Sequence, residues 1–324
     1  MVPEDLAGLR RLYTGFMGAR VVITANSLGV FDLLRRPSSA GVVAKALKAD
    51  LRATEILLDA LAGIGLLRKG TDGTYRNTPT GNRYLVKGGR LYQGDIISHA
   101  ATMWENFSML DQVVRTGRPA GRSRRHAGLP HEAFIMGMHN LTVLRTDSLV
   151  RAIGLKGVKT MLDLGGGPGT NAIAMARKGV KATVFDLPET IAIAKKVARR
   201  EKVAGLRFIS GDFHTDSIGS GYDLILVSQI FHAYPVQENV ALLRKCREAL
   251  NPGGRVVVQE FPIDESRTAP PQSALFSVNM LVGTSHGRCY SPREMKQWFR
   301  ENGFKDITVK HLPETVLVEG RRKG

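Results

Sequence analysis

Cysteine is nearly absent from this chain of 324 residues: Cys246 and Cys289 are the only two. Two thiols cannot build a disulfide framework or a four-cysteine zinc site. Long apolar runs are missing as well. No stretch approaches the ~18 uninterrupted apolar residues of a membrane-crossing helix, so no membrane partner is expected. The opening run Met-Val-Pro-Glu-Asp lacks the basic start of a secretory signal, and the expected home is the reducing cytoplasm. Acidic residues are the scarcer charge, 29 against 46 basic ones, for a formal net charge of +17. Such a field draws nucleic acid, anionic membrane or acidic metabolites. The excess is spread through both halves. Only Arg115, Arg118, Arg122, Arg124 and Arg125 form a dense run, inside a Gly-, Pro- and Ser-rich stretch. That run reads as a solvated loop, with an anion-binding patch as the alternative.

What is present is an ordinary globular composition, 43% apolar and 23% charged, long enough for about two domains of ~150 residues. Near the start, Leu6, Leu9, Tyr13, Phe16 and Met17 recur at three- and four-residue steps, which predicts an apolar helical stripe. The stripe is too apolar to be left in water, so a second copy of the chain is the expected partner. A helix over Val42–Leu47 and another turning Ala53, Ile56, Leu57, Ala60 and Leu61 inward come next. Leu67 to Arg76 reads as a hairpin around Asp72-Gly73. Helix, helix and hairpin make a winged helix-turn-helix pattern. Its second helix is expected to expose Arg52, Thr54, Glu55 and Asp59, and two carboxylates in a major groove would repel the phosphates. A structural or dimerising use of the module is therefore expected, not nucleic-acid binding.

From residue 158 the rhythm changes to alternating strand and helix. Strands are expected at Thr160–Leu164, Ala182–Asp186, Leu206–Ser210, Tyr222–Ser228, Arg255–Glu260, Asp306–His311 and Thr315–Glu319. This alternation predicts an α/β, doubly wound, mainly parallel sheet closed by an antiparallel hairpin. The chain divides in this reading into residues 1–96, a connecting helical stretch 97–154, and 155–324. The first strand runs into Asp163-Leu-Gly165-Gly-Gly167-Pro-Gly169, where glycines let the backbone approach a ligand at a helix N-terminus. A dinucleotide fingerprint would put a third glycine where Thr170 stands, which counts against NAD. Asp186 closes the second strand, where a carboxylate can accept from two ribose hydroxyls. Gly211-Asp212-Phe213 ends the third with a carboxylate and a ring at adenine distance.

On these residues the chain resembles a class I S-adenosylmethionine-dependent methyltransferase, of the caffeic-acid/acetylserotonin O-methyltransferase family in its bacterial form. The resemblance covers nearly the whole chain. It implies a Rossmann-like seven-stranded sheet behind an N-terminal winged-helix dimerisation domain, a homodimer, and S-adenosylmethionine as cofactor without a metal. It implies that Asp163, Gly165, Gly167, Asp186, Asp212, Phe213 and Ser228 serve the cofactor. Phe134 to Met138 resembles the segment lining the family's substrate pocket, with Met138 and Met280 flanking the acceptor. His232 falls on the family's general base and Glu260 on the carboxylate that orients it. Cys246, in a helical apolar stripe with Leu242, Leu243 and Leu250, is expected to be core.

Two positions depart from the pattern. The Asp that normally follows the base is Ala233, and the second flanking Glu falls on Cys289, at the substrate side; Glu294 comes one helix turn too late. Methylation of oxygen is the expected chemistry of a small, hydroxylated, partly aromatic molecule, with carbon, nitrogen or sulfur acceptors left open. Ser228-Gln229-Ile230-Phe231 is not the Asn/Asp-Pro-Pro-aromatic run of base amino-methylation. The histidines, among them His99, His126, His131 and His139, show no close metal-ligand spacing. A winged-helix regulator of transcription is the non-enzyme alternative.

Overall fold

The computed structural model describes residues 4–120 and 131–324, so Arg122, Arg124, Arg125 and His126 lie outside the described residues. The chain divides into two compact units, Met1–Thr102 and Met103–Gly324.

The first unit carries helices α1 (Leu6–Thr14), α2 (Phe16–Leu28), α3 (Val30–Leu33), α4 (Ala40–Leu47) and α5 (Leu51–Gly63), then a two-stranded antiparallel hairpin of β1 (Leu67–Lys69) and β2 (Tyr75–Asn77). Helix α6 (Pro79–Tyr84) and the start of α7 (Gly94–Phe107) complete it. The expected N-terminal stripe spans α1 and α2. Gly15 between them keeps helical dihedrals, and Leu6, Leu9, Tyr13, Phe16 and Met17 are all exposed within the single chain.

Helix α5 buries Leu61 and half-buries Leu57 and Ala60 as expected, but its first turns face differently. Its buried face is Thr54, Leu58 and Leu61; Thr54 is only 4% exposed, whereas Ile56 is 54% exposed and Ala53 also faces out. The physical reason is the Thr54 hydroxyl, which donates to the Asp50 carbonyl at 2.7 Å and so enters the core without an unpaired group. Positions 54, 58 and 61 then form one row along the helix. Asp59, expected to face a groove, is taken up by the hairpin: it accepts from Tyr75 Oη at 2.7 Å and Lys69 Nζ at 2.8 Å.

The second unit adds α8 (Leu110–Thr116), α9 (His131–Val143) and α10 (Thr146–Ile153). Strands and helices then alternate as β3 (Thr160–Leu164), α11 (Thr170–Ala176), β4 (Lys181–Asp186), α12 (Pro188–Arg200), β5 (Arg207–Ser210), β6 (Tyr222–Ser228), α13 (Val236–Ala249) and β7 (Leu250–Glu260). Helices α14 (Pro271–Gly283) and α15 (Pro292–Glu301) lead to β8 (Lys305–His311) and β9 (Val316–Arg321). These strands form a seven-stranded sheet in the order β5-β4-β3-β6-β7-β9-β8. Pairs among the first five strands of that order are parallel; β9 runs antiparallel to both its neighbours. Central strands are buried on both faces, which is why their sequence reads as near-continuous apolar runs. Cys246 lies in that core, fully buried. The chain winds outward from β3 in one direction and from β6 in the other. A crevice therefore opens at the carboxyl ends of β3 and β6, where an open α/β sheet binds its ligand.

Candidate active site

The turn after β3 holds Gly165, Gly167 and Gly169 at φ of 65°, 55° and 74°, a region that costs other residues dearly. The roles of the first two differ. A Cβ on Gly165 would stand 2.5 Å from Ile230 Cδ1 and 3.6 Å from Phe213 Cε1, whereas one on Gly167 would meet nothing within 4 Å. Gly165 thus permits close packing, and Gly167 presents open backbone. Asp186, ending β4, folds its carboxylate back on this turn: Oδ2 accepts from the Gly167 N–H at 2.8 Å and Oδ1 from the Leu187 N–H at 2.8 Å. Burial raises its pKa, and those donors oppose the rise. Asp163 lies beneath the turn, 1% exposed, accepting from the Ala172 N–H at 3.1 Å in the first turn of α11. Burial pushes its pKa up to about 7, against the pull of that bond.

At the end of β5, Asp212 Oδ1 accepts from the His214 N–H at 2.8 Å. The Phe213 ring meets Tyr234 edge-on at 5.7 Å and His214 at 4.6 Å. Tyr234 received no role in the sequence. Burial raises the pKa of its phenol first, and the charges of Asp212, Glu238 and Asp186 raise it further. The available signal was an aromatic residue two positions after His232. Ser228, at the end of β6, donates its hydroxyl to Gln259 Oε1 on β7 at 2.8 Å.

Beyond β6, Gln229 takes φ of 60° and a short 3-10 turn, Phe231–Ala233, presents His232. Its Nδ1 lies 2.7 Å from Glu260 Oε2, and its backbone N–H donates to Glu260 Oε1 at 3.3 Å. Glu260, at the end of β7, is 1% exposed. Phe276 packs edge-on against the imidazole at 4.9 Å, and Phe261 lies 6.0 Å away. Met280 is one turn further along α14 from Phe276 and is buried. Cys289 is tied to the same helix, its N–H donating to Ser277 Oγ at 3.1 Å and its thiol to the Ser273 carbonyl at 3.3 Å. Burial, reinforced by Glu260, pushes that thiol up to about 11, so it stays neutral. Glu294 is committed elsewhere, capping α15 through Ser291 and pairing with Arg288 at 2.6 Å. Met138, half-buried on α9, belongs to a helix packed on α11 and α12.

His139, the next residue of α9, is a second site feature that spacing did not reveal. It is 8% exposed, with Nδ1 2.8 Å from Thr170 Oγ1 and Nε2 3.0 Å from the Arg200 guanidinium. Arg can only donate, so Nε2 accepts and Nδ1–H donates to Thr170. Burial, then the Arg200 charge, lowers its pKa and keeps it neutral. One helix is thereby bolted to the residue that follows the glycine turn.

The open backbone at Gly167, the answering carboxylate of Asp186 and the Phe213 ring with Asp212 fit an adenosyl donor carrying a ribose diol. The O-methyltransferase domain family matches residues 119–305, and the O-methyltransferase dimerisation domain matches residues 10–87. The chain is 32% identical over 310 residues to the 3-hydroxy-5-methyl-1-naphthoate 3-O-methyltransferase of Streptomyces sahachiroi, covering 92% of this chain and 89% of that protein. It is 29% identical over 343 residues to the acetylserotonin O-methyltransferase of Bos taurus, covering 99% and 98%. The crystal structure of human N-acetylserotonin methyltransferase in complex with SAM superposes with a TM-score of 0.90 at 28% identity, covering 100% of both chains. With a match in each compact unit and relatives aligned nearly end to end, the chain belongs to the S-adenosylmethionine-dependent O-methyltransferase family.

Proposed function

We propose that this enzyme methylates the hydroxyl oxygen of a small aromatic metabolite, with His232 as general base and Glu260 as its orienting carboxylate. The observation that carries the reading is the 2.7 Å contact between His232 Nδ1 and Glu260. A carboxylate can only accept, so Nδ1 holds the ring proton and Nε2 is left as the basic nitrogen. The need for a base is a matter of magnitude. A phenol of pKa ~10 is ionised in only about one molecule in a thousand at pH 7, an unfavourable ~4 kcal/mol. Imidazole is the side chain that can take such a proton near neutral pH. Glu260 then stabilises the imidazolium that forms. When bound, S-adenosylmethionine supplies the electrophilic methyl group; Gly165, Gly167, Asp186, Asp212 and Phe213 would hold it, with Asp163 bracing the turn.

The phenylalanine rings beside His232 support a flat aromatic acceptor. The named activities of the relatives, on a hydroxynaphthoate and on acetylserotonin, support the same class. Met138, Met280 and Cys289 would flank that acceptor, and Ala233 leaves the base without the neighbouring carboxylate of the family pattern. The enzyme would act as a homodimer through its N-terminal unit, in the cytoplasm, where the two buried thiols stay reduced. The test is incubation with S-adenosylmethionine and a panel of hydroxynaphthoates, hydroxyindoles and simple phenols. Mass and NMR analysis should show a methyl ether. A methyl group on carbon or nitrogen, or no product from any phenol, overturns the reading.

A further inference from the structure

We propose that Lys245 is a positioning residue for the methyl donor: it staples the loop carrying Asp212 and Phe213 to the helix that begins beside the base. The proposal rests on the assignment of those two residues to the adenine end of the donor. The loop after β5 is wound on itself, Asp212 accepting through its carbonyl from Thr215 N–H at 3.1 Å and Asp216 N–H at 2.7 Å. Asp216 Oδ2 accepts in turn from the Asp212 N–H at 2.8 Å. That winding leaves the carbonyls of Phe213, His214 and Asp216 without loop partners. Lys245 Nζ, from α13, donates to all three, at 2.6, 3.2 and 3.0 Å. An ammonium has three protons, and this one uses each on the same loop.

A surface lysine ordinarily leaves its head in water, because fixing its long stem costs rotamer entropy. Here three charge-assisted bonds offset that cost. The other end of α13 is held too. Asn239 Nδ2 donates to the carbonyls of Phe231 at 2.9 Å and Tyr234 at 3.2 Å, the residues flanking His232 and Ala233. One helix is thus pinned to the base-bearing turn by Asn239 and to the adenine-side loop by Lys245. Lys245 touches no reacting atom; it sets where the Phe213 ring and the Asp212 carboxylate stand relative to His232.

The experiment compares the full-length wild type with Lys245→Met, Lys245→Arg and Asp212→Asn. Calorimetry measures S-adenosylhomocysteine and free adenosine, and steady-state kinetics give KM for S-adenosylmethionine and kcat. Lys245→Met should weaken S-adenosylhomocysteine by about tenfold, the scale of one lost charge-assisted bond. Adenosine should weaken by the same factor, because the lesion is at that end. KM should rise in parallel, kcat at saturation should stay within about twofold, and Lys245→Arg should recover most of the loss. A uniform structural lesion would lower kcat as well and would not spare it at saturation. Should the Met variant fail to fold by circular dichroism, Lys245→Gln, which keeps donors but loses the charge, decides by the same S-adenosylhomocysteine and adenosine measurements: weakened binding supports the staple and unchanged binding overturns it. Unchanged S-adenosylhomocysteine affinity in a folded Lys245→Met, beside a weakened Asp212→Asn, overturns the staple and leaves the donor site standing. Unchanged affinity in both variants, or no binding by wild type, overturns the donor-site assignment and the staple with it.

Discussion

One carboxylate of Glu260 holds His232 twice, by the ring Nδ1 at 2.7 Å and by the backbone N–H at 3.3 Å. His232 stands on the 3-10 turn beyond β6, and Glu260 ends the adjacent parallel strand β7, so the neighbouring strand holds the turn that carries the base. Glu260→Gln keeps an acceptor for the ring proton but loses the charge that stabilises imidazolium. It should lower kcat by ~10–100-fold. His232→Ala should cost more, ~100–10,000-fold, with S-adenosylhomocysteine affinity nearly unchanged. Raising the pH should partly restore the alanine variant, most for acidic phenols, because ionised acceptor needs no base. Full activity of His232→Ala at neutral pH would turn attention to thiol or carbon acceptors.

Asp186 accepts from the Gly167 and Leu187 amides, so its carboxylate is aimed along the glycine turn. Asp186→Ala should leave the circular dichroism spectrum intact and weaken S-adenosylhomocysteine by ~1.5–3 kcal/mol, the scale for hydrogen bonds to a charged acceptor. Isothermal calorimetry reads this directly, and equal affinities would remove Asp186 from the ribose.

The parts legible in the sequence were those carried by local pattern. Asp163 to Gly169 announced a strand running into a turn, and the apolar runs from Thr160 onward gave strands within a few residues of their observed ends. Strand β7 was the largest miss, starting at Leu250 and not Arg255: Pro252, Gly253 and Gly254 carry no strand-forming side chains, so its first part leaves no apolar trace. What stayed hidden were single polar contacts between residues far apart in the chain. His139 reaches Thr170, Lys245 reaches Phe213, and neither pairing leaves a periodic trace. The facing of the first turns of α5 was hidden for another reason: Thr54 looks polar, yet it satisfies its own hydroxyl on Asp50 and can enter the core.

Leu6, Leu9, Leu12, Tyr13, Phe16 and Met17 remain exposed in a single chain, along two consecutive helices that fall within or beside the matched dimerisation domain. Isolated helices of this length are marginal in water, so a partner surface must stabilise them. Light scattering at micromolar concentration should give about twice the 35.4 kDa chain mass. Replacing Leu9 and Phe16 together by Glu should yield monomers or aggregates with weakened activity. A monodisperse monomer from the unaltered chain would contradict the assignment.

Asp163 carries the last expectation, a pH dependence of stability with a defined sign. The carboxyl sits under the glycine turn with the Ala172 N–H as its donor, and burial pushes it up to about 7. In the unfolded chain it releases its proton near the ordinary ~3.9. The folded state therefore binds the proton more tightly, and the stability this adds is fully present below about pH 4. It is lost as pH rises through about 7, where the folded form must bury an ionised group. A three-unit difference corresponds to at most ~4 kcal/mol across that window. Asp163→Asn keeps an oxygen for the Ala172 amide and never ionises. The gap between the urea midpoints of the two forms should therefore be smaller at pH 5 than at pH 8, where the variant should be clearly the more stable. Parallel curves across that range would mean that Asp163 is ionised throughout, held by a donor beyond Ala172.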